Sequence, residues 1–178
     1  MRRPLAILAL GAALAPAAWA SWPPSASASI SREAPIARLP PPASAGQQVL
    51  YGHVRSLVRR GRHFEMRFDP ALWLTGVAAE RAAREDGAIG PGEAVPNDYY
   101  VVDESHRLLT YVVAGTARVT VLTRGVRSTP IAVTELSRIV AGGNPRHRRL
   151  LEPKAGFWLR VGARYPNPVL ALDQQYQP

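Results

Sequence analysis

The chain has 178 residues, with 22 Lys and Arg against 13 Asp and Glu for a formal net charge of +9, and it contains no cysteine. The missing cysteine excludes a disulfide framework, a cysteine nucleophile and thiolate metal ligation. The length suits one domain, and the charge admits an anionic partner, although the near-exclusive use of arginine (Lys154 is the one lysine) also reflects overall composition.

Residues 1–20 have the layout of a secretory signal peptide. Arg2 and Arg3 precede an apolar run from Leu5, and Ala18-Trp19-Ala20 forms a small-residue cleavage site. The run is too short for a membrane span of about 20 residues, and Pro16 interrupts it. A mature chain starting at Ser21, periplasmic or secreted and with a net charge of +7 once Arg2 and Arg3 are gone, is expected. Residues 21–46 are rich in Pro, Ser and Ala, with no apolar period, and are expected to be a disordered tether.

A single β-rich domain is expected over 47–178. "VLYGHVRSLV" (49–58) and "HFEMRF" (63–68) read as a hairpin, with Phe64, Met66 and Phe68 on its apolar face. A three-residue loop centred on Gly61 sets Val54 opposite Phe68 and Val58 opposite Phe64, which keeps the apolar faces together. "TGVAAERAAREDG" (75–87) is a short helix, with Thr75 as its cap, an alanine face and Gly87 as its stop. Gly90-Pro91-Gly92 and Pro96 mark a loop.

"VPNDYYVVDESHR" then enters a strand at 98–102. Asn97 and Asp98 shape a turn, and Tyr99 and Tyr100 point to opposite faces, one ring into the core and one to the surface. Strands at 108–114 and 117–123, joined at Gly115-Thr116, precede a helix at 133–143 with Leu136, Ile139 and Val140 on one side. A basic loop (144–156) and a closing hairpin (156–163 and 168–176) finish the chain. Seven strands and two short helices predict a mainly β, α+β fold: a small antiparallel, OB-like Greek-key barrel or a curled sheet. Val54, Phe64, Met66, Phe68, Val119, Val121, Leu136 and Ile139 are the expected core.

The pattern Leu74-Thr75-Gly76, an alanine-rich helix ending Asp86-Gly87, and Val95-Pro96-Asn97-Asp98-Tyr99-Tyr100 resembles a group of small exported bacterial proteins of unknown function. The terminal "LALDQQYQP" is also similar to that group's ending. The resemblance implies one exported domain and carries no catalytic residues with it.

Chemistry has few local signatures here. HExxH, G-x-S-x-G, the P-loop and G-x-G-x-x-G are all missing from the sequence, so neither a cofactor nor a metal is expected. The enzyme reading, an envelope hydrolase or metal-dependent enzyme, would draw on Asp98, Asp103, His106 and His63, with Glu104 and His53 nearby. A non-catalytic binding or interaction module of the cell envelope is favoured, because turn chemistry accounts for most of these polar residues. Its expected contact surface is Arg55, Arg59, Arg60, Arg62 and Arg67 on the first hairpin, facing an envelope polyanion or another envelope protein. Nucleic acid is disfavoured, since no cation run is interleaved with aromatics. Trp73, Trp158 and Phe157 are either core or stacking surfaces, with Trp73 and one of the other two expected in the core.

Overall fold

A computed structural model describes residues 43–104, 107–124, 126–151, 155–164 and 167–177. The expected signal peptide, most of the tether, and His106 lie outside them. Among the described residues seven strands form: β1 (Gln48–Arg60), β2 (His63–Thr75), β3 (Tyr99–Val102), β4 (Leu109–Thr123), β5 (Arg127–Ile131), β6 (Phe157–Val161) and β7 (Val169–Gln174). Helix α1 (Gly76–Glu85) follows β2, and α2 (Val133–Val140) follows β5.

The sheet runs β3-β2-β1-β6-β7-β4-β5, and a further β2–β4 pairing closes it. Five strands therefore make a closed barrel in the order β1-β2-β4-β7-β6, with β3 and β5 as outer extensions of β2 and β4. The barrel is closed rather than an open curled sheet, and its connectivity is that of an OB-like Greek key. It is not wholly antiparallel, because β4 and β7 pair in parallel. The chain leaves β4 through β5 and α2, then re-enters as the β6–β7 hairpin against β1, so β7 meets β4 running the same way.

The first hairpin corrects the expected register in one half. Arg60 pairs with His63 across a two-residue turn, so Val58 faces Glu65 rather than Phe64. Val58 is accordingly 44% exposed, while Leu57 is buried. Val54 still faces Phe68, as expected, because the register shifts between Val54 and Ser56. The physical reason is the apolar spacing. Val54 and Leu57 are three residues apart, an odd step that a pleated strand can turn inward only by inserting a bulged residue, here Arg55. Gly61 supplies the left-handed turn position at φ 61°.

Two expected strands fuse. The segments at 108–114 and 117–123 form the single 15-residue β4, with Gly115-Thr116 passing through without a turn. Its first half pairs with β2 and its second with β5 and β7. Strand β5 has no counterpart among the expected elements; Pro130 within it hides the strand pattern, and an outer position tolerates proline.

The core is one cluster inside the barrel, built from Phe64, Met66, Phe68, Val113, Val119, Val121, Leu136, Phe157, Leu159 and Leu172 among others, with Val54 packed against it. Burying each large side chain stabilises by about 1.5–3 kcal/mol. Ile139, expected in this core, is buried but lies outside the cluster. Helix α2 plugs one end of the barrel with Val133 and Leu136, and its Ser137 Oγ donates to the Leu57 carbonyl at 2.5 Å. Helix α1 makes a separate small cluster through Ala79 and Ala83 with Val95, Leu74 and Tyr100. Thr75 stands at its N-cap but makes no side-chain cap bond. Gly87, at φ 70°, ends it as expected.

Candidate anion-binding site

The bulge that turns Leu57 inward throws Arg55 outward, beside the C-terminal end of α2. Gly142 (φ 90°) stops that helix, donating to the Ile139 carbonyl, and Gly143 donates to that of Arg138. The following loop is tightly held. Asn144 Nδ2 donates to the Arg148 carbonyl at 2.7 Å, and its Oδ1 accepts from the Arg148 amide at 2.9 Å. Arg124 and Leu151 donate their amides to the carbonyls of Arg149 and Leu122, tying the loop to the end of β4.

Between these elements lies a cleft of about 580 Å³. Val54, Ile139, Val140 and Leu150 supply its apolar surface, and Arg55, Arg124, Arg148, Arg149 and His53 its polar surface. Ile139 is thus buried as part of this lining rather than in the barrel interior. Among the described residues, no carboxylate lines the cleft.

Two of the four arginines are neutralised from behind. Arg55 donates through Nε and Nη2 to Asp69 Oδ2 at 2.9 and 2.6 Å, and Asp69 is 2% exposed. Arg148 donates to both carboxylate oxygens of Glu135, with Arg146 Nε 3.5 Å from the same group. The Arg148 hydrogen bond, aided by the charges of Arg148 and Arg146, holds the Glu135 carboxyl below its usual range against the opposing effect of burial. Arg124 and Arg149 are exposed, and among the described residues no acid pairs with them. They carry the uncompensated positive charge of the site.

The hairpin arginines named from the sequence take different partners. Arg55 is in the cleft. Arg59 donates to the Gly61 carbonyl at 3.1 Å, Arg60 lies 3.7 Å from Glu65, and Arg67 donates to Thr110 Oγ1 at 2.8 Å. Arg62 is exposed beside the turn. Arg67 pairs with Ser56 across the hairpin. Sequence reasoning missed Arg124 and Arg149 as a pair; the basic run 146–149 was a signal for one of them, and nothing local marks the other.

The acid–base candidates are not brought together among the described residues. His63 is exposed at the hairpin end, and Asp98 is exposed in the 3-10 turn Pro96–Asp98. Asn97 and Asp98 adopt φ of 60° and 57°, the turn role expected of them. Asp103 instead reaches His53, Oδ2 to Nε2 at 3.6 Å, at the edge of the cleft.

His53 also joins the cleft to an aromatic cluster on the barrel exterior. Its ring centroid is 6.3 Å from that of Tyr51, which lies 5.0 Å from Trp73 and 4.9 Å from Trp158. Tyr99 stacks on Trp73 at 4.1 Å and 12°. Trp73 therefore does not enter the core; Phe157 does, and Trp158 takes the outer face. Tyr100 packs under α1 with its hydroxyl donating to Asp86 Oδ2 at 2.9 Å. Burial, with Tyr99 and Asp103 nearby, pushes the Tyr51 hydroxyl well above the usual tyrosine range. The chain end crosses this cluster: Trp158 Nε1 donates to Gln175 Oε1 at 2.7 Å, and Gln177 Nε2 donates to the Tyr51 hydroxyl at 3.0 Å. No family model, curated protein or solved structure matches the chain.

Proposed function

We propose that this is an exported, non-catalytic binding module of the cell envelope that holds a polyanion in the cleft between β1, the end of α2 and the loop 144–150. The carrying observation is that, among the described residues, two arginines without an acid partner, Arg124 and Arg149, stand with two buttressed ones, Arg55 and Arg148, around a cleft that no described carboxylate lines. The buttressing acids orient the guanidinium groups before a ligand arrives, which lowers the entropy lost on binding. Arginine's planar fork suits phosphate, sulfate and carboxylate groups alike.

The test is elution from an immobilised polyanion over a salt series. Changing Arg124 and Arg149 together to Ser should weaken binding by about tenfold or more at physiological salt, since charge-assisted hydrogen bonds are worth about 1.5–3 kcal/mol each. Changing Arg59, Arg60 and Arg62 together to Ser should move elution much less. Equal losses in the two variants would return the charge to a diffuse surface and sink the cleft reading.

Export rests on the layout of residues 1–20. Intact mass of the protein recovered from periplasm or medium should correspond to a chain beginning at Ser21. Recovery of the uncleaved chain in the membrane fraction would refute it.

A further inference from the structure

We infer that the polyanion is an acidic polysaccharide, its anionic groups in the arginine cleft and its sugar rings on the adjoining aromatic face. This deepens the proposed function and rests on it. The two surfaces are continuous along the outside of β1. Tyr51 and His53 share the outward face, and the bulged Arg55 follows. Tyr51 is braced by Trp73 and Trp158, so the rings beside the cleft are held in place by one another.

The polar groups among these rings are two amides, with the His53–Asp103 pair where the rings meet the cleft. Gln175 is spent on Trp158 Nε1 and on the Tyr176 carbonyl. Gln177 donates one amide hydrogen to Tyr51, and among the described residues its Oε1 has no partner. Half-buried rings flanked by an available amide match the chemistry of a sugar, whose C–H ridge lies on an aromatic face while its hydroxyls bond to amides. Polyphosphate offers no apolar ridge to such a face. A nucleobase also stacks on aromatic rings, so a single-stranded nucleic acid is the competing ligand that the experiment must separate.

The experiment titrates the purified protein with a soluble polyuronate, with polyphosphate and with a single-stranded oligonucleotide, matched in charge and at one salt concentration, following tryptophan fluorescence and heat. Wild type is expected to prefer the polyuronate by about fivefold or more, roughly the 1 kcal/mol of one good ring contact. Trp73→Leu should abolish that preference while leaving polyphosphate affinity within about twofold, which also shows that the variant is folded. Gln177→Ala, a milder change, should reduce the preference severalfold. Changing Arg124 and Arg149 to Ser should weaken all three ligands together. Equal affinity for polyuronate and polyphosphate, tighter binding of the oligonucleotide, or a preference untouched by Trp73→Leu and Gln177→Ala would each overturn the inference while leaving the cleft reading standing. Failure of every polymer to bind would overturn both. Self-association abolished by Trp73→Leu would assign the aromatic face to a second copy of the chain and overturn the inference.

Discussion

Gly52→Ala is expected to cost about 3 kcal/mol or more of stability, at the upper end for overpacking in a core. A β-carbon at residue 52 would lie 2.1 Å from the Asp69 carbonyl oxygen and 2.8 Å from both Phe68 Cζ and Pro70 Cα. Two of these atoms are backbone of the paired strand and cannot rotate away. Phe68 is fully buried and has nowhere to move. The β1–β2 pair would have to part where the barrel is closed by its neighbours on both sides. With a urea slope of about 1–3 kcal/mol/M, the unfolding midpoint should fall by about 1 M or more. A midpoint within about 0.3 M of wild type, well inside that expectation, would show that the strands do not approach so closely.

Arg55→Ala should be destabilising too, by about 2–3 kcal/mol, although Arg55 lines the cleft proposed for binding. Its removal strands Asp69, whose side chain is 2% exposed and has Oδ2 bonded to Arg55 while Oδ1 has no partner. Breaking one half of a buried ion pair costs about 3–5 kcal/mol. The half-exposed guanidinium, at 50%, places this pair at or below the bottom of that range. The diagnostic is the double variant. Adding Asp69→Asn to Arg55→Ala removes the stranded charge and should restore part of the lost stability in denaturant melts. A double variant less stable than Arg55→Ala would mean that Asp69 stabilises through something other than this pair. The same result separates Arg55, whose main task is to neutralise Asp69, from Arg124 and Arg149, whose loss should affect binding and leave the melt nearly unchanged.

Much of the barrel is written in local pattern. Phe64, Met66 and Phe68 alternate with polar residues and all three turn inward. The helix stops at Gly87 and Gly142 fall where glycine follows an apolar stripe, because a left-handed residue there costs glycine little. The odd step from Val54 to Leu57 also announces the bulge, provided Leu57 rather than Val58 is taken as the inward residue. The turn at Asn97-Asp98 was legible for a similar reason: both side chains tolerate positive φ.

The proposed cleft was not legible in that way. Arg124, Arg149, His53 and Arg55 lie on three separate segments, and only closure of the barrel and the position of α2 bring them to one cleft. Charge counting pointed to the first hairpin because arginines crowd it in sequence, but Arg59, Arg60 and Arg67 each find a hairpin or cross-strand partner once the strands pair. The aromatic face was hidden for the complementary reason. Tryptophan reads as core by its area, and which side of a strand it occupies depends on register, where one bulged residue reverses the answer. Sequence by itself determined the apolar periods, the helix stops and the surplus of arginine, because each depends on neighbours in the chain. Which arginines remain uncompensated, and which rings lie beside them, was decided by tertiary structure alone, because both depend on partners distant in the chain, as Asp69 is to Arg55 and Gln177 to Tyr51.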